Sequence, residues 1–435
     1  SLQMEWLQVS PGHWARPMDG VERYFHAISS VTTPCGIAHT MVSVGAKLPK
    51  EADFTIDKYK AAWKTLRYEH PRIACSVSND TIHYSVPDEK IFQAWLARTL
   101  LVDESATSGL DKLSTMRSSA EGILILLPKA REVFFQISHH HIDGVGAMMF
   151  LDLLFDALQH PVDVTFGDEH QNLSNSLSYS LPTKDPGSDH IRRGENMVQT
   201  FAKTLPGLTL SRQPSRDSAH YVRVQRISFS ALETHNILSQ AKHHGFGVTH
   251  ATHAAIVQAL HHLAPGNKQP YATLLFFSLR NKLQSRPKIA HSPVSVHMMA
   301  LPAVVQASDH SDFKRLAQRL KNIYNELSTD SAHIRAHHAL YDALASNSVS
   351  KDYGKVFLSS LGLVSDRVHH DLDDFWIGAG SATADLTAYL WTFKGQLTIA
   401  IWFNEGYHQA TAVQEFLFEI RSALLRGLNT DIDLG

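Results

Sequence analysis

Phe134-Phe135-Gln136-Ile137-Ser138-His139-His140-His141-Ile142-Asp143-Gly144-Val145-Gly146 is the stretch on which the reading of this chain turns. It opens as a short apolar strand, passes through a tight polar corner and leads into a helix. By the two-residue alternation of a strand, Val133, Phe135, Ile137 and His139 share one face while His140 points the other way. His139 therefore continues an apolar face, where burial keeps an imidazole neutral and able to accept a proton near pH 7. Asp143 follows one helical turn on, with Gly144 directly after it and Gly146 beyond. Glycine permits backbone angles or close approaches that other residues resist. The pattern suits one imidazole facing a reaction centre while a nearby carboxylate pins the loop that carries it. Its matching chemistry is removal of a proton from an attacking hydroxyl or amine. A packed core histidine beside a solvated aspartate is the bland alternative. A metal set of His139, His141 and Asp143 is a third reading. The helical His-Glu-x-x-His spacing is absent and no thiolate supports such a set, so no metal is expected.

Composition bounds the rest. Histidine occurs 28 times, with adjacent pairs at His243-His244, His261-His262, His337-His338 and His369-His370. A doublet is cheap in this chain, so the triplet gains meaning only from its context. A length of 435 residues exceeds what one hydrophobic core usually serves, and two domains are expected. Hydrophobic residues at 43% and charged residues at 19% fit an ordinary soluble enzyme. A net charge of -2 supplies no field to recruit nucleic acid or an anionic membrane. Cys35 and Cys75 are too few for a disulfide scaffold or a thiolate metal site, and free thiols are expected. Ser1-Leu2-Gln3-Met4-Glu5-Trp6 lacks the basic start and apolar centre of a signal peptide. No apolar run reaches membrane-spanning length. A cytoplasmic protein is the expectation.

Outward from the motif, residues 1–163 form one expected domain, 164–218 a crossover linker and 219–435 a second domain. The linker is rich in turn compositions such as Pro182-Thr183-Lys184-Asp185-Pro186-Gly187, with a short helix expected near His190 to Leu205. Thr55 to His70 reads as a helix with Tyr59, Ala62, Trp63 and Leu66 on one face, stopped by Pro71. Strands are expected at Ile73 to Val77 and Thr81 to Val86. A hairpin is expected from Gly122 to Ser138 about Pro128-Lys129-Ala130-Arg131, then a helix from Gly146 to Leu158. The second half alternates strands at Tyr221, Thr273, Val356 and Leu397 with helices near Ser230, Thr249, Phe313 and Val413. That alternation lacks strict βαβ regularity, so it predicts an α/β protein with mixed sheets.

His139-x-x-x-Asp143-Gly144 resembles the active-site motif of BAHD acyltransferases and of nonribosomal peptide condensation domains, both in the chloramphenicol acetyltransferase-like superfamily. Leu66-Arg67-Tyr68-Glu69-His70-Pro71-Arg72-Ile73 is similar to that family's first helix and strand. Phe277-Ser278-Leu279-Arg280 resembles its strand ending in arginine. Asp374-Phe375-Trp376-Ile377-Gly378 resembles the BAHD Asp-Phe-Gly-Trp-Gly element, with Trp376 and Ile377 in place of Gly and Trp. Leu397 to Tyr407 resembles the strand before the last helix, so the likeness spans residues 60 to 425 with the linker unmatched. Condensation domains usually carry two adjacent histidines at the motif's start; Ser138 fills the first position here. That departure leans toward the acyltransferase branch. The altered Asp374 element looks more like fungal secondary-metabolite acyltransferases than the plant form.

The resemblance implies two chloramphenicol acetyltransferase-like domains, each a mixed sheet flanked by helices, meeting at a channel. His139 would be the general base, with acyl-CoA as cosubstrate, no permanently bound cofactor and no covalent acyl-enzyme. Asp143 would pair with Arg280 rather than touch the acceptor. Ser359 and Ser360 are candidate oxyanion donors, and Lys282, Arg286 and Lys288 candidate partners for coenzyme A phosphates. Asp374, Trp376 and Gly378 would be structural. Two alternatives stay open: a condensation-type synthase taking its thioester from a carrier protein, and a non-acylating cyclase or binding protein of the same fold. A monomer is expected.

Overall fold

A nearly continuous apolar run around Phe134, buried on both faces, builds the middle of a sheet. The computed structural model describes residues 5–181, 187–213, 221–283, 292–348 and 354–429. Five strands surround the motif: β3 (Met41–Lys47), β6 (Leu100–Val102), β7 (Ile123–Leu127), β8 (Glu132–Ser138) and β13 (Asp374–Gly380). They run in the order β13-β3-β8-β7-β6, antiparallel except for the parallel β6–β7 pair. β7 and β8 form the expected hairpin, turning through Arg131 at a φ of 56°. The helices Ile56–Glu69 and Gly144–Gln159 cover this sheet through Trp63, Leu66, Phe150 and Leu154, all fully buried against Phe135 and Ile137.

A second, six-stranded sheet comes from the later chain. Its strands are β9 (Val222–Ser228), β10 (Tyr271–Ser278), β11 (Met298–Val305), β12 (Val356–Leu363), β14 (Leu386–Phe393) and β15 (Gln396–Asn404). Their order is β11-β10-β12-β14-β15-β9, with parallel pairing on both sides of β12 and antiparallel pairing elsewhere. Both sheets are therefore mixed. The helices Val248–Leu263, Phe313–Thr329 and Ala410–Gly427 pack against the six-stranded sheet around Leu316, Leu320, Phe416 and Ile420. A small antiparallel sheet, β1 (Leu7–Ser10), β2 (His13–Pro17), β5 (Thr81–Ser85) and β4 (Ser76–Ser78), lies apart from both.

The two large sheets share material. β13 follows β12 in sequence, yet it pairs along its whole length with β3 of the first sheet. Residues 381–385 then carry the chain back to β14 of the second. Trp391 and Trp402 of the second sheet are buried in one continuous cluster with Trp376 and Phe134 of the first.

Three local expectations change. Pro71–Ala74 is a 3-10 turn rather than a strand, and the strand that follows is only Ser76–Ser78, because Pro71 starts a helical turn readily. The strand of the motif stops at Ser138, so the alternation does not extend through His139. Residues 139–141 form a turn closed by the His141 N–H on the Ser138 carbonyl at 3.0 Å. The following helix begins at Gly144, because Asp143 caps it with a carboxylate bond from the Gly146 N–H. Cys35 and Cys75 are free thiols.

Candidate active site

His139 leaves β8 where the first sheet meets the second, and its side chain lines a cavity of about 370 Å³. Its ring stacks face to face on Phe25, 3.7 Å between centroids and 7° from parallel. Phe25 comes from the helix Gly20–Ser29, whose N-terminus is closed by a capping box of Asp19 and Glu22. The Nδ1 atom of His139 is shielded without a hydrogen-bond partner, whereas Nε2 is not among the buried orphan atoms. Desolvation lowers the imidazole to a pKa of about 4; nearby backbone carbonyls and the Asp143 charge oppose this only in part. The ring is neutral at physiological pH and can take up a proton.

Asp143 also borders the cavity, but its carboxylate is committed to other partners. Its carboxylate accepts four N–H bonds: Gly146 at 2.7 Å, the His297 backbone at 2.8 Å, and Arg280 Nη2 at 3.1 and 3.0 Å to the two oxygens. Both side chains of the pair are shielded, with 8% of Arg280 and 4% of Asp143 exposed. Burial alone would raise the Asp143 carboxyl, but Arg280 and the backbone donors outweigh it and hold it below the usual carboxylate range. Gly146 makes this closeness geometrically available. A Cβ there would lie 2.1 Å from the Pro293 carbonyl oxygen and 2.8 Å from Arg280 Nη2.

A second buried network supports the loop from the other side. Glu22 receives Arg16 at 2.7 and 2.8 Å and Arg72 at 2.6 Å, and Arg72 also donates to the His140 carbonyl at 2.8 Å. His140 in turn is held by Ser138 Oγ at 2.7 Å. The histidine turn is thus clamped by two separate charge clusters, and its triplet is not a cluster of equal parts: only His139 of the three lines the cavity.

Ser359 and Ser360 also line the cavity, on β12. Ser360 Oγ pairs with Thr249 Oγ1 at 2.7 Å. A bulge follows between Ser360 and Gly362, and it aims Leu361 at Gly144. Lys282 is exposed and donates to the Ser328 carbonyl at 2.8 Å, away from the cavity lining. Arg286 and Lys288 lie outside the described residues. Asp374 forms a paired contact with Arg226 of β9 (3.1 and 2.6 Å), tying the first sheet to the second. Trp376 covers Gly45 of β3, and Gly378 lies against the Trp402 ring. Among the described residues, no group of three His, Cys, Asp or Glu is placed to hold a metal ion. No helix of the described residues is long and apolar enough to cross a membrane.

The sequence reading does not include Phe25, Glu22, Lys355 or Asp385, all of which shape the site. A local signal exists for the first two, since Asp19-Gly20-Val21-Glu22 is a capping-box pattern. Lys355 and Asp385 sit in no motif and meet only through strand pairing.

Two mixed sheets that exchange a strand, with a histidine turn at their junction, define a chloramphenicol acetyltransferase-like, condensation-type fold. The solved trichothecene 15-O-acetyltransferase TRI3 of Fusarium sporotrichioides superposes with a TM-score of 0.83 at 19% identity, over 97% of this chain and 98% of that one. The epimerization domain of the third module of tyrocidine synthetase B superposes at 0.63 and 12% identity, over 99% of both chains. No family model matches the sequence. In sequence the chain is a homologue of fungal secondary-metabolite acetyltransferases. It is 26% identical to the acetyltransferase pigO of Monascus ruber over 460 residues, covering 98% of each chain. It is 24% identical to the O-acetyltransferase pigM of the same fungus over 455 residues, covering 99% of this chain and 88% of that one.

Proposed function

We propose that this protein transfers an acyl group from acyl-CoA to a hydroxyl of a small secondary-metabolite acceptor, with His139 as general base. The observation that carries the reading is a neutral imidazole whose Nδ1 is shielded while its ring borders a cavity of about 370 Å³. With its proton on the shielded Nδ1, the ring offers the Nε2 lone pair to the acceptor. As Nε2 takes the hydroxyl proton, the oxygen attacks the thioester carbonyl and a tetrahedral oxyanion forms. Ser359 and Ser360 on β12 border the same cavity and are candidate hydroxyl donors to it. Collapse expels the thiolate, which recovers the proton from His139, so the ring is regenerated without an acyl-enzyme. Asp143 and Arg280 contribute by holding the turn rather than by touching substrate.

Ser138 supports a soluble donor over a carrier-protein thioester. Its hydroxyl is engaged with His140, where condensation domains usually place a further histidine. The test is thiol release from acyl-CoAs of graded length with pooled alcohol acceptors, comparing wild type with His139→Ala. Loss of at least about 10²-fold in rate, with an unchanged fold, is expected. Wild-type turnover in the variant would sink the general-base assignment. Absence of release with every donor, in the wild type, would point to a carrier protein or a non-acylating activity.

A further inference from the structure

The cavity contains a second polar feature that proton transfer at His139 does not use. Lys355 stands just before β12 and Asp385 just before β14, two strands paired in parallel with Val356 opposite Leu386. The Asp385 carboxylate accepts the Lys355 backbone N–H at 2.7 Å, and its other oxygen lies 3.4 Å from Lys355 Nζ. Only 9% and 12% of these side chains is exposed, and both border the cavity. Phe357 lies against the Lys355 ammonium and Tyr24 close to Asp385, while Leu274 and Phe276 add apolar wall to the same cavity and Thr383 adds a hydroxyl. Burying two charges costs free energy that mutual attraction often fails to return, so the pair gives the fold little. What it gives the cavity is an ammonium held in place by a fixed carboxylate.

Position relates this pair to the chemistry. By alternation Lys355, Phe357 and Ser359 share one face of the strand. At the usual rise, Ser359 is about 13 Å further along. Leu361, beyond the bulge, reaches Gly144 of the catalytic turn. On the opposite wall, Phe25 stacks on His139 and its neighbour Tyr24 is near enough to Asp385 to feel its charge. The cavity therefore runs from the base to the ion pair between aromatic walls.

We propose that Lys355 and Asp385 form the acceptor-recognition subsite, in which Lys355 donates a hydrogen bond to a neutral carbonyl oxygen remote from the reacting hydroxyl. The acceptor class is a flat, largely apolar alcohol bearing a ketone, ester or lactone at its far end. A carboxylate is disfavoured there, because Asp385 already balances the ammonium and a second anion would be buried uncompensated. The assignment of the reacting end rests on the acyl-transfer reading; binding of the carbonyl does not.

Calorimetric titration without any acyl donor tests it, using 2-naphthalenemethanol, its 6-acetyl derivative and its 6-carboxylate as probes. Wild type should bind the acetyl probe about 10-fold tighter than the parent alcohol, and the carboxylate no tighter than the parent. Lys355→Met should erase the preference for the acetyl probe. Asp385→Asn, which removes the carboxylate charge beside the ammonium, should shift the preference to the carboxylate probe. Equal binding of acetyl and parent probes by wild type, or a preference that survives Lys355→Met, overturns the proposal. If Lys355→Met does not fold, Asp385→Asn decides alone, and no gain for the carboxylate rejects the subsite. Thiol release by wild type is measured in parallel. Its absence would count against acyl transfer while leaving the binding result standing.

Discussion

His139 is held by stacking and by the turn that carries it rather than by a hydrogen bond to its shielded nitrogen. Its pKa of about 4 has a direct kinetic consequence. On the proposed mechanism the base must be neutral to act, so activity is lost only as pH falls through the folded-state value. The acid limb of kcat/KM is expected near pH 4 instead of near 6.5. A thiol-release profile with its acid limb at 6 or above would show that the ring is far better hydrated than its packing implies. Asp143 and Arg280 make a second prediction at this scale. Removing either partner strands a shielded charge, a loss of about 3–5 kcal/mol in stability. Asp143→Ala and Arg280→Ala should each lower Tm and activity, while the double variant loses less than the sum, with coupling up to about 3 kcal/mol. Strict additivity in denaturant melts would reject their energetic pairing.

Among the elements, β13 does most to join the molecule. It contributes Trp376 to the packing over Gly45, Gly378 to the packing under Trp402, and Asp374 to the Arg226 contact. A Cβ at Gly378 would lie 2.1 Å from the fully buried Trp402 ring. Gly378→Ala should therefore cost about 1–3 kcal/mol by overpacking. Gly378→Ala should cost less in a Trp402→Leu background than in wild type, and a Tm for Gly378→Ala equal to wild type would refute the packing argument. Elements with a strong local period are legible in the sequence. The helix Ile56–Glu69 shows its face at Tyr59, Ala62, Trp63 and Leu66 and ends before Pro71, and the β7–β8 hairpin shows two apolar runs about a turn. The strand nature of Asp374–Gly380 is not legible in that way, because its partner β3 lies more than three hundred residues earlier and no local rule pairs them. Arg280 and Asp143 are likewise distant in sequence, and only a family resemblance links them before the fold does.

At the scale of the whole molecule, several buried histidines make the fold sensitive to acid. His253, bonded to Tyr271 and Tyr324, and His297 beside Arg280 are both desolvated to pKa values of about 3. Their folded values lie below the unfolded value of 6.5, so between 6.5 and 3 the unfolded state binds more protons. Stability therefore falls as pH drops through that window, by up to about 1.4 kcal/mol per pH unit for each such histidine. The depressed carboxyls of Asp143 and Glu22 add to the loss once pH falls below about 4.5. Calorimetric Tm values should decline from pH 6.5 downward and more steeply below 4.5; a flat Tm from pH 7 to 5 would contradict this. The sequence by itself determined the α/β class, and the family likeness carried by residues 134–146 pointed to a chloramphenicol acetyltransferase-like fold. It also determined the mixed character of the sheets, through alternation without βαβ regularity. Only the tertiary structure decided what surrounds the imidazole. The exchange of β13, the Phe25 stack, the Arg72–Glu22 support and the Lys355–Asp385 pair bring together residues far apart in the chain. Such contacts follow from how two sheets bury one continuous apolar layer, and that layer is a property of the packed chain rather than of any segment in it.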